Sequence, residues 1–127
     1  MVLDTDVVIR ALTEDDSGKA LRFRKLLVTA SNLVLTDVTF AEIYWTLRSF
    51  YKFDKIKILS SMEILIHDQA ISCNLDLLQR TISILRSTKL SLIDSYTVAY
   101  SVLKSDSKIL SFDKGFDKIK ELIRVEP

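Results

Sequence analysis

Glycine is scarce in this sequence: Gly18 and Gly115 are the only two among 127 residues. That excludes a glycine-rich phosphate loop of the dinucleotide-binding or Walker kind, whose backbone needs several glycines to approach phosphates. Histidine is scarcer still. His67 stands alone, which excludes paired-histidine zinc motifs. Nothing around it indicates the serine and acid of a nucleophilic triad, so it reads as an ordinary helix residue. The single Cys73 cannot form an internal disulfide, which fits a reducing cytosol or a compartment indifferent to redox state, and a buried, inert thiol is its expected role. Charge of one sign is lacking too: 18 basic and 17 acidic residues leave a formal +1. There is no general attraction to nucleic acid or anionic lipid, so any nucleic-acid contact must come from a local basic surface. No apolar run approaches the ~20 residues of a membrane span. Asp4 and Asp6 interrupt any N-terminal leader pattern, and the protein is expected to be cytoplasmic.

What is present is the composition of a globular chain, 48% hydrophobic and 28% charged, of a size that suits one domain over residues 1–127. Met1-Val2-Leu3 is β-compatible and ends at the polar Asp4-Thr5-Asp6. A short helix or turn is expected over Val7–Leu12. From Lys19 to Ala30, Ala20, Leu21, Phe23, Leu26 and Leu27 recur at helical spacing. Leu33–Thr36 reads as a buried strand. A helix follows over Val38–Tyr51, apolar nearly all round and expected to be covered on more than one side. Further helices are expected over Asp54–Ile66, Leu75–Leu85 (with Asn74 as its cap) and Leu92–Leu103, with a short strand at Ala70–Cys73. Lys108–Phe112 and Ile123–Val125 read as strands, and Phe116–Leu122 as a last helix. Short buried strands separated by helices imply an α/β fold with a mainly parallel sheet. In such sheets, sites lie at the carboxyl ends of the strands.

Four acids occupy such places. Asp4 and Asp113 directly follow expected strands, Glu42 lies early in the helix after a strand, and Asp94 lies in the first turn of its helix. Each has a bland explanation, and for any one acid alone capping is the commoner use. Thr39-x-x-Glu42 and Ser91-x-x-Asp94 fit the capping box, and Asp4 and Asp113 suit helix caps. Taken together they point elsewhere. An unpaired Glu42 on an apolar helix is costly, and carboxylates gathered at one sheet edge repel unless a cation neutralises them. An all-oxygen acidic cluster suits Mg²⁺ or Mn²⁺.

Four stretches carry a resemblance: Leu3-Asp4-Thr5-Asp6-Val7, Phe40-Ala41-Glu42-Ile43-Tyr44-Trp45, Leu92-Ile93-Asp94-Ser95-Tyr96-Thr97, and Ile109-Leu110-Ser111-Phe112-Asp113-Lys114-Gly115-Phe116. In order and spacing the chain resembles a PIN-domain ribonuclease, in particular the VapC-type toxins of prokaryotic toxin–antitoxin pairs. The resemblance implies a three-layer α/β/α sandwich with a central parallel sheet. It implies a Mg²⁺ or Mn²⁺ site built from Asp4, Glu42, Asp94 and Asp113, supported by Thr5, Asp6, Ser111 and Asp117. Asp6 stands where the family usually has asparagine, and Ser111 where threonine is usual. The implied reaction is hydrolysis of RNA by a metal-activated water. The implied partners are RNA, a cognate VapB-like antitoxin that lays an arginine across the acids, and a second copy of the chain. Arg10, Arg48, Lys104 and Lys114 are candidate phosphate contacts, although solvated surface charge is the simpler reading. Tyr44, Trp45 and Tyr96 are candidate base-stacking residues, although packing is the simpler reading.

Two rival readings follow from the same residues. One is a PIN-like module that binds RNA or protein without cutting. The other is a phosphoacceptor signalling domain using Asp4, Asp6, Asp37 and Lys114, which leaves Glu42 and Asp94 without a purpose.

Overall fold

The computed structural model describes residues 1–127. The chain divides into two compact units, Met1–Leu75 and Asp76–Pro127. The fold is α/β: six α-helices come in consecutive pairs separated by short strands, and every strand pair is parallel.

The first unit opens with an extended segment whose Val2 bridges Val34 in parallel. Helices α1 (Thr5–Thr13) and α2 (Ser17–Thr29) follow and pack on each other. The first helix starts two residues earlier than the spacing predicts, because Thr5 is buried and turns inward with Val8 and Ile9. Asp16 caps α2, its side chain accepting from the Lys19 amide at 3.0 Å. Asn32, at φ 101°, turns the chain out of α2 into β1 (Leu33–Val34). This strand lies between the N-terminal segment and β2 (Ile71–Ser72), holding the first through Leu3 N–H to Val34 O at 2.8 Å. Toward the other, Leu33 N–H reaches Ala70 O at 2.7 Å. Between these strands run α3 (Asp37–Trp45) and α4 (Lys55–Ile66). Phe40 and Ile43 of α3, Leu59 and Met62 of α4, and Leu47 from the stretch between them are essentially inaccessible to solvent.

The expected helix over Val38–Tyr51 is not uniform. It is α-helical only to Trp45, then widens into a π-type turn over Thr46–Phe50, with Tyr51 N–H reaching back to Thr46 O at 3.2 Å. The widening accompanies two adjoining ring contacts and a hydrogen bond. Phe50 meets Tyr51 edge-on with centroids 5.2 Å apart, Tyr51 leans on Phe53 at 5.6 Å, and the Tyr51 hydroxyl donates to Asp15 at 2.7 Å. Nor is this helix covered on all sides: Val38 and Trp45 are 75% and 64% exposed.

The second unit contains almost all of α5 (Leu75–Ser87), then α6 (Leu92–Lys104), β3 (Lys108–Leu110) and β4 (Ile123–Val125). Leu77, Leu78, Thr81, Ile82 and Leu85 form the buried stripe of α5, the i, i+3, i+4 spacing of an amphipathic helix. The Asn74 side-chain amide donates to Asp37 at 3.1 and 3.3 Å, tying the start of α3 to the residues just after β2. A cluster of Val98, Phe116 and Leu122, with Ile84, Leu90, Val102, Ile109 and Ile119 against it, forms the local core. The helix expected over Phe116–Leu122 is absent. A single 3₁₀ segment spans Lys114–Lys118 instead, and the chain then turns again, Leu122 N–H to Ile119 O at 3.2 Å. Phe116 and Leu122 both point into the core, and two tight turns bring them there where one continuous helix is not used.

No helix is long and apolar enough to cross a membrane.

Candidate metal centre

In the first unit, Asp4 directly follows the segment that bridges β1 and occupies the N-cap of α1, with extended backbone (φ −90°, ψ 150°). Its carboxylate makes no capping hydrogen bond and is exposed. The capping explanation therefore does not apply to it. The same is true of Glu42. The residue that caps α3 is Thr36, whose hydroxyl accepts from the Thr39 amide at 3.1 Å. The helix thus begins three residues before the Thr39-x-x-Glu42 motif implies. Glu42 falls in the second turn, out of reach of the free amides that a capping box satisfies. The expected burial of Glu42 also fails. It is exposed, on the same face as Val38 and Trp45 at i−4 and i+3, so no desolvation cost demands a partner.

The supporting residues, drawn from both units, differ in burial and in partner. Thr5 is buried as the first residue of α1. Asp6 is exposed and takes a hydrogen bond from Arg10 at 3.1 Å, one turn on. That ion pair compensates the extra negative charge beside Asp4 and gives Arg10 a structural partner. Arg48 also has one, donating to Phe53 O at 3.1 Å. Lys104 and Lys114 are exposed, Tyr44 is buried, and Tyr96 sits beside Tyr100 with centroids 6.2 Å apart.

In the second unit Asp94 is half-buried at the third position of α6, where its amide donates to the Ser91 hydroxyl at 3.1 Å. Here the Ser91-x-x-Asp94 motif does coincide with the helix start. Next to it Ser95 is fully buried, and its hydroxyl has no hydrogen-bond partner. Asp113 follows β3 and caps the 3₁₀ segment, one carboxylate oxygen accepting from the Gly115 amide at 2.8 Å. Its own amide donates to the Ser111 hydroxyl at 3.0 Å. Asp117 is gripped by Arg124: Nε to Oδ1 at 2.8 Å and Nη2 to Oδ2 at 3.3 Å. That hydrogen-bonded guanidinium holds the Asp117 carboxyl below its usual range. Arg124 was not among the residues the sequence marks out, and only the folded chain brings it to this loop.

Within neither unit do three or more His, Cys, Asp or Glu side chains converge as a metal cage. The donor chemistry of the four acids nonetheless fits the expected ion. Carboxylates are hard oxygen donors, the kind Mg²⁺ and Mn²⁺ take. The Asp113 Oδ2 atom is left over from capping, and the Asp4 side chain is not used for capping at all. Cys73 does not enter this set. It is half-buried, its thiol leans on Ile66 O at 3.8 Å, and burial pushes its pKa up, away from the reactive thiolate.

Residues 1–122 match the PIN domain. The chain belongs to the PIN-domain family. This is generally a nuclease fold, whose members commonly use divalent metal ions, bind nucleic acids and often pair with antitoxins. Family membership sets aside the phosphoacceptor reading, and two of that reading's acids are otherwise engaged, Asp6 by Arg10 and Asp37 by Asn74. No curated protein matches the chain.

Proposed function

We propose that this PIN domain is a Mg²⁺- or Mn²⁺-dependent endoribonuclease, working as one domain over residues 1–127, and the toxin of a VapBC-type pair. The observation that carries the reading is the PIN match over residues 1–122 in a chain that retains all four acids, Asp4, Glu42, Asp94 and Asp113. Two of these, Asp4 and Glu42, have no part in capping the helices they belong to.

In this reading the four carboxylates hold the cation. When bound, it supplies an activated water and stabilises charge at the phosphodiester. A carboxylate oxygen outside that ligation accepts the proton of the attacking water. Thr5 and Ser111 support Asp4 and Asp113 from adjacent positions, and the chain supplies no covalent nucleophile. The exposed Val38 and Trp45 beside Glu42 suit a protein partner. We assign that surface to the antitoxin or to a second copy of the chain in a homodimer. An antitoxin arginine would bind the acids as a bidentate partner and block them. The proposed location is cytoplasmic.

The test is RNA cleavage by purified wild type and Asp94→Asn, with Mg²⁺ or Mn²⁺ and with chelator. Cleavage that needs metal, and falls by about a thousandfold or more in the variant, is expected of a residue central to the chemistry. No cleavage of any RNA together with no metal binding would make this a binding module instead.

A further inference from the structure

We propose that Arg124 is the positioning residue for the Asp113 carboxylate, fixing the loop that aims its free oxygen. The inference rests on the metal-binding role proposed for Asp113 and lies wholly within the second unit.

Arg124 is central in β4, paired in register with Ile109 of β3, and its side chain is only 11% exposed. From there it reaches past the end of β3 and grips the following loop at both ends. Nη1 donates to Ser111 O at 2.9 Å, and Nε and Nη2 take the two oxygens of Asp117. A third anchor, Glu126 at 3.1 Å, steadies the guanidinium from just beyond the end of β4. Between the gripped ends lies Asp113. Its amide is bound by the Ser111 hydroxyl, and its Oδ1 by the Gly115 amide. Gly115 also matters for space: a Cβ there would lie 3.0 Å from Asp113 Oδ1, closer than nearly all real Cβ contacts. Backbone, amide and side chain of Asp113 are thus set by a loop whose two ends one guanidinium holds. Oδ2 is left as the oxygen available to a ligand. A planar fork with several donors does this; an ammonium, a single point of charge, cannot bridge the same three acceptors.

Because the Arg124–Asp117 pair also ties the loop to β4 and so contributes to stability, the test reads metal affinity on folded protein. Mn²⁺ binding to the full chain is measured by paramagnetic resonance or calorimetry, with circular dichroism confirming fold at the same temperature. Arg124→Lys and Asp117→Asn are compared with Asp113→Asn. The control is Glu121→Gln, which breaks the Arg80–Glu121 pair (2.8 Å) in the same unit without touching the loop. Residues that orient metal ligands typically cost ten- to a hundredfold in affinity when changed. About a tenfold loss is expected for Arg124→Lys and a smaller one for Asp117→Asn, with none for Glu121→Gln. Combining Arg124→Lys with Asp113→Asn should add little, because both act through one ligand. Wild-type affinity in Arg124→Lys and Asp117→Asn, beside a loss in Asp113→Asn, would overturn the positioning role and leave the acid's role standing. Wild-type affinity in Asp113→Asn would overturn both. Should Arg124→Lys not fold, Asp117→Asn decides alone.

Discussion

The two units treat their candidate acids differently. In Met1–Leu75, Asp4 sits at an N-cap without capping, and Glu42 lies beyond the reach of the Thr36 cap. In Asp76–Pro127, Asp94 sits at the third position of a helix capped by Ser91, and Asp113 caps the turn that follows it. The same residue type therefore carries two burdens. Where a carboxylate also ties the backbone, its loss confounds stability with function. Where it does not, a substitution reads function alone.

That contrast can be broken by measurement. Asp113→Ala should lower the stability of the chain by about 1 kcal/mol, the usual cost of a lost cap, read as a fall in thermal or denaturant midpoint. Asp4→Asn should stay within about 0.5 kcal/mol of wild type, as surface changes away from special features do. Equal losses in the two would mean that Asp4 has a structural duty not evident in its cap geometry.

A finer contrast lies in acid. Both Asp16 in the first unit and Asp117 in the second are held below their usual pKa, Asp16 chiefly by the Lys19 amide and Asp117 chiefly by the Arg124 side chain. A depressed folded pKa means that the unfolded chain binds the proton more readily. The stabilisation is then complete above the ordinary aspartate value of about 3.9 and is lost as pH falls through the lower folded value. Unfolding midpoints followed downward from pH 5 should therefore drop less steeply in Asp16→Asn and Asp117→Asn than in wild type. Added salt should shrink the Asp117 contribution more, since it comes from an ion pair and the Asp16 contribution from an amide hydrogen bond. Parallel acid curves for wild type and both variants would contradict this.

Much of the architecture was legible because apolar spacing is a strong local signal. The buried stripe of α5 and the β3 and β4 strands lie where the periodicity puts them. The failures have local causes. Thr36 and Thr39 are equally good caps in sequence, and only the fold shows that Thr36 is used. An apolar pattern around Val38, Ala41 and Trp45 reads as burial, yet Val38 and Trp45 face solvent. Phe116 and Leu122 have helical spacing but reach the core through separate turns. Arg124 escaped notice for a different reason. Its partners Ser111 and Asp117 lie 13 and 7 residues away in sequence, and no short motif records a contact made across a strand pair. Of the candidate site, the positions of the acids after strands or near helix starts were legible. The use of each carboxylate was not, because capping and metal binding ask for the same residue at nearly the same place.

Glu42 gives the most direct test, since neither capping nor burial explains it. Mn²⁺ is titrated calorimetrically into the wild type and Glu42→Gln, with thermal unfolding run on the same samples. The account predicts an unchanged unfolding midpoint and at least a tenfold weaker affinity, about 1.4 kcal/mol. A folded Glu42→Gln protein that binds Mn²⁺ as tightly as the wild type would contradict the role assigned to it.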